Sequence, residues 1–246
     1  MSVVKILQPD PTVDAGLIPS WIEKIGLSYS ITALSNAQSV PSLSDCRGPI
    51  VILGGTMSAH SDLPWMAPLR ALIVEAVENN HPILGICLGA QIGAEAFGGT
   101  TEVPAEGMGE EGLTSLTLTH AALDDPYVGP ACAAAQQAAH ANHVLWNVAV
   151  SHHDAVVHLP AQATLLASSA TCPIHLWRQG SFVACQHHPE ADANTTYRWF
   201  TEDCERQGRD VADYSALAMN LHTQAQASAP CNTAFGTTLL TTLTHL

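Results

Sequence analysis

Apolar and polar positions alternate with two different periods along this chain, and the change of period marks its elements. Residues 3–7 read as a first strand, 19–25 as an amphipathic helix and 29–34 as a second strand. The run Pro49-Ile50-Val51-Ile52-Leu53 is apolar on both faces and stops at Gly54-Gly55, which suits a central strand opening into a loop. Over 64–79, Leu69, Leu72, Ile73, Ala76 and Val77 fall on one helical stripe, with Glu75 and Glu78 off it. Residues 82–86 form another buried strand and 88–97 another helix, closed by Gly98-Gly99. Strands alternating with helices in this way predict an α/β fold with a doubly wound, mostly parallel sheet.

The second half changes character. Short strands are predicted at 113–119, 146–150, 164–168, 174–177 and 182–186, with Arg178-Gln179-Gly180-Ser181 as a hairpin turn. The alanine-rich stretch 131–141 fits either a helix or a loose insertion. After Pro189 the pattern is helical to the end, with a break expected at Ala229-Pro230 and the tail from about Asp210 packed on the main body. We divide the chain into a domain over 1–205 and a helical C-terminal extension over 206–246.

Composition narrows the function. Of 246 residues 47% are hydrophobic and 12% charged, enough apolar material for one substantial core. The formal net charge of -14 repels polyanions, which excludes nucleic acid as a partner. No stretch of eighteen uninterrupted apolar residues exists and the N-terminus carries no secretion pattern, so neither a membrane span nor export is expected. Seven scattered cysteines without a CxxC pair indicate a reduced, cytoplasmic chain.

The chemistry concentrates in Gly85-Ile86-Cys87-Leu88-Gly89-Ala90-Gln91, where a cysteine stands between a buried strand and a helix. Such an elbow lifts the side chain clear of the sheet and aims the first free amides of the helix at it, which favours a thiolate nucleophile. Acyl transfer also needs a proton donor, and Gln186-His187-His188-Pro189-Glu190 supplies two imidazoles and a carboxylate at the end of a predicted strand. Gly54-Gly55 offers backbone amides to a developing oxyanion.

Four segments, ILGGTMSAHSDLPW, PILGICLGAQ, SHHDAVVHLP and ACQHHPE, give roughly residues 1–200 a resemblance to the class I (triad) glutamine amidotransferases, and among them to stand-alone members similar to the amidotransferase domain of GMP synthase. The resemblance implies the flavodoxin-like fold of that family, with a central, mostly parallel sheet flanked by helices. It makes Cys87 the nucleophile, His188 the general base and acid, and Glu190 the group orienting the imidazole. The amides of Gly55 and Leu88 become the oxyanion hole, and Gly54, Gln91, Ser151 and His152 the substrate contacts. The implied reaction attacks the side-chain amide of glutamine, forms a γ-glutamyl thioester and releases ammonia to a separately encoded synthase. A stand-alone γ-glutamyl hydrolase or peptidase is the alternative, and a non-catalytic regulatory subunit a third reading, against which the intact triad argues.

The sequence departs from the family pattern in three places: His187 stands where an aromatic is usual, His153 where the substrate loop has glycine, and the glycine-tryptophan expected near 109–112 is missing. The GMP synthases continue into an ATP-pyrophosphatase domain that these 246 residues do not contain, so synthesis of GMP by this chain alone is not expected. Neither a cofactor nor a metal is expected, because the adjacent pairs His152-His153 and His187-His188 point their side chains to opposite faces of a strand. Between Arg70 and Arg178 there is no Lys or Arg, which predicts a small amino-acid amide or γ-glutamyl substrate and not a nucleotide.

Overall fold

The computed structural model describes residues 3–34, 40–210 and 214–245. Its first half winds as the pattern requires: β1 (Val3–Gln8), α1 (Ile18–Lys24), β2 (Ser28–Ala33), β3 (Ile50–Ile52), α2 (Met66–Glu78), β4 (Ile83–Ile86) and α3 (Leu88–Ala96). Next along the chain are β5 (Thr100–Glu102), β6 (Glu110–Ser115), β7 (Thr117–Leu118), α4 (His120–Asp124), α5 (Gly129–Asn142), β8 (Asn147–His152), β9 (Ala155–His158), β10 (Thr164–Ser168), β11 (Leu176–Gln179) and β12 (Phe182–Cys185). Two helices end the chain, α6 (Ala193–Arg206) and α7 (Ser215–His245).

Among the described residues the main sheet has eight strands in the order β2-β1-β3-β4-β12-β11-β10-β7. From β2 to β12 every neighbour is parallel, and β11, β10 and β7 continue the sheet antiparallel. The sheet is buried on both faces, so its central strands are apolar throughout: Ile50, Val51, Ile52, Ile83, Phe182 and Val183 are all fully buried. One core layer packs α2 and α3 against the sheet, and the other packs α1, α5 and α7. Two side ladders, β5 with β9 and β6 with β8, stand beside it.

Helix α3 approaches the sheet more closely than a side chain at its contact positions would permit. A Cβ on Gly89 would lie 2.5 Å from the carbonyl oxygen of Ile52, and one on Gly93 would lie 2.2 Å from Cζ of Phe182. These glycines let the helix after the elbow sit directly on β3 and β12, which fixes the direction in which its N-terminus points.

Several expected boundaries shift. The strand predicted at 113–119 divides into β6 and β7 around Leu116, because β6 pairs with β8 whereas β7 pairs with β10. Residues 131–141 belong to a regular helix, α5, with Pro130 in its first turn. The expected break at Ala229-Pro230 does not occur. Helix α7 runs through Pro230 because both flanks are anchored: Ser228 Oγ donates to the Leu145 carbonyl, and Asn232 Nδ2 donates to that of Asn147. The helical tail is interrupted in the structure after α6, and residues 211–213 at that junction lie outside the described residues. No helix among the described residues is long and apolar enough to cross a membrane.

Candidate active site

Strands β4 and β12 are parallel neighbours in register, Ile86 beside Cys185, so the segments that leave their carboxyl ends emerge at the same sheet edge. After β4 comes Cys87, with φ 49° and ψ -105°, a backbone region that costs a non-glycine residue about 1–3 kcal/mol. Its N–H donates to the Cys185 carbonyl at 2.7 Å and its carbonyl accepts from Gln91 N–H, so the strained residue is held from the sheet side and the helix side. After β12 comes the turn bearing His188, whose N–H donates to the Ala149 carbonyl of β8 at 2.8 Å.

The histidine and the carboxylate of this turn meet: His188 Nδ1 lies 2.7 Å from Glu190 Oε1, both side chains being buried. Cys87 stands beside the same imidazole, close enough for its sulfur to act on the charge of the ring. Burial works against a charged imidazole, but the Glu190 carboxylate and then the Cys87 sulfur outweigh it and raise the His188 pKa to about 10. Trp199 of α6 packs edge-on to the ring with centroids 4.7 Å apart, closing its remaining side.

Gly54 lies against both His188 and Cys87, since a Cβ there would come within 2.9 Å of His188 Cε1 and 3.5 Å of the Cys87 Cβ. The loop carrying Gly54-Gly55 is tied down by Asp10, just beyond the end of β1. Its Oδ2 accepts from the N–H (2.9 Å) and hydroxyl (2.5 Å) of Thr56, and its Oδ1 from the N–H and hydroxyl of Thr12. Burial alone would raise the Asp10 pKa, but these hydrogen bonds hold it below the usual value.

A cleft of about 710 Å³ opens over Cys87 and His188. Gly55, Gln91, Ser151 and His152 line it, whereas Gly54 and Leu88 sit behind its surface, both buried. Gln91 Nε2 donates to the Asp154 carbonyl at 3.0 Å and faces Gln186 Oε1 at 3.3 Å, so its amide nitrogen ties α3 to the 151–154 loop. Both ring nitrogens of His152 are likewise engaged, at Asp154 and Glu110. Ser151 Oγ lies 3.3 Å from Glu111 Oε1.

Sequence reasoning missed the wall formed by α6. Arg198, Trp199, Glu202 and Arg206 line the cleft from beyond residue 178, so two guanidinium groups stand at a rim to which the span between Arg70 and Arg178 contributes none. The amphipathic pattern of α6 predicts that one face is exposed but not that this face looks into a cleft. Glu111 lines the same cleft, and its pKa is raised to about 7, first by burial and then by the neighbouring Asp203. His153, in the place of the usual glycine, is largely exposed and lies 3.7 Å from Glu111 and 3.8 Å from Asp203. His187 does not line the cleft and is fully buried; burial, first of all, holds its pKa well below the ordinary value.

Fold and site together define an α/β protein with a cysteine at a strand-to-helix elbow and a histidine–glutamate pair facing it across one sheet edge. The family of class-I glutamine amidotransferases matches residues 18–204, and the chain belongs to it. It is similar to the glutamine amidotransferase-like protein YfeJ of Salmonella typhimurium, 30% identical over 175 residues covering 69% of this chain and 67% of the relative. Gamma-glutamyl peptidase 3 of Arabidopsis thaliana is 32% identical over 145 residues, 57% of this chain, and the match spans only 53% of the peptidase's length. Among solved structures, a glutamine amidotransferase from Thermotoga maritima superposes with a TM-score of 0.80 at 20% identity, covering 100% of this chain and 99% of that one. That likeness establishes the fold.

Proposed function

We propose that the chain hydrolyses the side-chain amide of glutamine with Cys87, His188 and Glu190 as its catalytic triad. The observation that carries this reading is the convergence of the elbow cysteine and the Glu190-held imidazole at the floor of one cleft. The Cys87 sulfur attacks the amide carbon, and the oxygen that becomes negative is met by the amides of Gly55 and Leu88. Losing one such donor typically costs about 10²–10³ in turnover. His188, protonated at neutral pH, gives its proton to the leaving nitrogen; the C–N bond breaks, ammonia departs and a γ-glutamyl thioester remains on Cys87. Water then attacks the thioester, His188 takes the proton, and glutamate leaves. Ammonia so released passes to a separately encoded synthase.

A second reading has support from the size and lining of the cleft. Its volume of about 710 Å³ exceeds what a single glutamine fills, and Arg198, Glu202 and Arg206 line it together with Cys87 and His188, where a peptide attached to the γ-glutamyl group would extend. In that reading the leaving group is the amine of a γ-glutamyl peptide.

Two measurements test both readings. A glutamine-mimicking electrophile should alkylate Cys87, located by mass spectrometry, and the Cys87→Ala variant should lose hydrolysis of glutamine and of γ-glutamyl dipeptides alike. Slow ammonia release from glutamine that a partner accelerates supports the amidotransferase reading. Fast unassisted cleavage of γ-glutamyl dipeptides supports the peptidase. Label on another residue, with activity intact in Cys87→Ala, refutes both.

A further inference from the structure

At the inner edge of the cleft four side chains, one of them the cleft-lining His152, converge from separate segments. Glu110 begins β6, His152 ends β8, Cys172 sits in the turn after β10, and His175 immediately precedes β11. One oxygen of Glu110, one nitrogen of each histidine and the sulfur of Cys172 all lie within 4.8 Å of one another, and all four residues are buried. We propose that Glu110, His152, Cys172 and His175 form a binding site for one divalent ion of the zinc class.

The donor set fits that ion. Two imidazoles, a carboxylate and a thiolate are the ligands zinc takes in four-coordinate sites, at about 2.0–2.3 Å, which sets neighbouring donors about 3.3–3.8 Å apart. His152 Nε2 stands 3.3 Å from Glu110 Oε2, and His175 Nε2 approaches the same oxygen at 2.5 Å, so of these two pairs only the latter has to open. A carboxylate and a thiolate also cancel the charge of a divalent ion, leaving a neutral group in a dry interior. The Cys172 thiol gives up its proton to solvent when the sulfur binds.

A second observation concerns the proton on His152. Its Nδ1 lies 3.0 Å from the Asp154 carbonyl oxygen, which can only accept, so Nδ1 carries the hydrogen. In the neutral ring Nε2 then presents an electron pair to Glu110 Oε2, and two such electron pairs in a buried site require a proton or a cation between them. An Nδ1–H donating to a carbonyl, with Nε2 turned toward the ion, is also how metal-bound histidines are held. The supporting contacts exist: Ser169 Oγ donates to Glu110 Oε1 at 2.8 Å and accepts from Cys172 N–H at 2.8 Å, fixing carboxylate and cysteine relative to each other. His187 packs its ring against His175, centroids 5.7 Å apart, and closes that side of the group.

Adjacent histidines are the pairs that the sequence makes conspicuous. The ligands instead take one member of such a pair and join it to Cys172-Pro173-Ile174-His175, a three-residue spacing presented by a turn. Bound metal would tie the side ladder of β6 and β8, which carries the 151–154 rim of the cleft, to the main sheet.

The test uses the whole chain with Cys87→Ser, so that the elbow thiol contributes no signal. After chelation and refilling, the protein should retain one equivalent of zinc through desalting and melt at a higher temperature than the stripped form. Cobalt(II) in its place should give intense visible bands together with a sulfur-to-cobalt charge-transfer band. Cys172→Ser should lose that band, and Cys172→Ser and His175→Gln should each weaken zinc binding at least tenfold. No retained zinc overturns the proposal, and a proton then occupies the space. A cobalt spectrum without a sulfur band overturns it equally, since it places the ion elsewhere, with Glu111, His153 and Asp203 as the obvious alternative group. Should Cys172→Ser fold poorly, the cobalt spectrum of the parent and of His175→Gln decides. None of these readings depends on amide hydrolysis.

Discussion

Replacing Glu190 by glutamine removes one negative charge and little else. The backbone of Glu190 stays anchored, because its carbonyl accepts from Leu17 N–H at 2.9 Å irrespective of the side chain. The side chain keeps its shape and can still accept from His188 Nδ1, now as a neutral amide. What changes is the field at the imidazole. In the intact protein the His188 pKa is raised from 6.5 to about 10 against the opposing effect of burial. At about 1.36 kcal/mol per unit that net difference is on the order of 5 kcal/mol, which Glu190 and Cys87 supply beyond what offsets burial. Without the carboxylate, only the Cys87 sulfur still opposes burial, and the pKa falls toward its ordinary value. His188 then no longer holds a proton at neutral pH for the leaving nitrogen. We expect kcat/KM for ammonia release from glutamine to drop by about 10⁴, the scale on which removing the orienting acid of a triad acts. The pH profile separates this from general damage. In the parent chain kcat/KM should fall only as pH rises through about 10, and in Glu190→Gln the alkaline limb should move toward neutrality. An unchanged limb, or near-normal activity at pH 7, would show that Glu190 does not set the charge of His188.

The same structure yields three further outcomes. Gly54→Ala places a methyl 2.9 Å from His188 Cε1, and should lower turnover at least tenfold while the melting temperature stays near that of the parent; equal losses of both would refute its placement against the reacting groups. Glu111 is an acid whose folded pKa, about 7, lies above its unfolded value of 4.5, so it costs stability as pH rises between the two. Glu111→Gln should therefore be more stable than the parent at pH 8, by on the order of 2–3 kcal/mol at most, with little difference at pH 4; denaturant titrations at the two pH values check the sign. Gly93→Ala drives a methyl to within 2.2 Å of the Phe182 ring and should cost about 1–3 kcal/mol, part of which Phe182→Leu in the same chain restores, as thermal or denaturant melts would register.

How much of the fold and site is legible in the sequence depends on the range of the interaction. The elbow at Cys87 is a local consequence of an apolar strand, a tight turn and a helix, so a window of ten residues suffices. The pairing of His188 with Glu190 is equally readable, since only a proline separates them. Boundaries fail where a distant partner decides: β6 and β7 are divided by the different strands they pair with, and α7 crosses Pro230 because β8 and the segment before it hold both sides. The α6 wall is unreadable for the same reason. Nothing in the spacing of Arg198, Trp199, Glu202 and Arg206 says what lies opposite them. The grouping of Glu110 with Cys172 joins residues about sixty positions apart and leaves no local signature.

The division of labour around the cleft has an evolutionary consequence. Cys87 and His188 are fastened to neighbouring rows of the sheet, where almost any change disturbs the interior. One wall of the cleft is instead a helix, α6, resting on α7, with long side chains that reach toward solvent. Over evolution, substitutions along that helix can therefore reshape the mouth of the cleft while Cys87 and His188 stay where the sheet holds them.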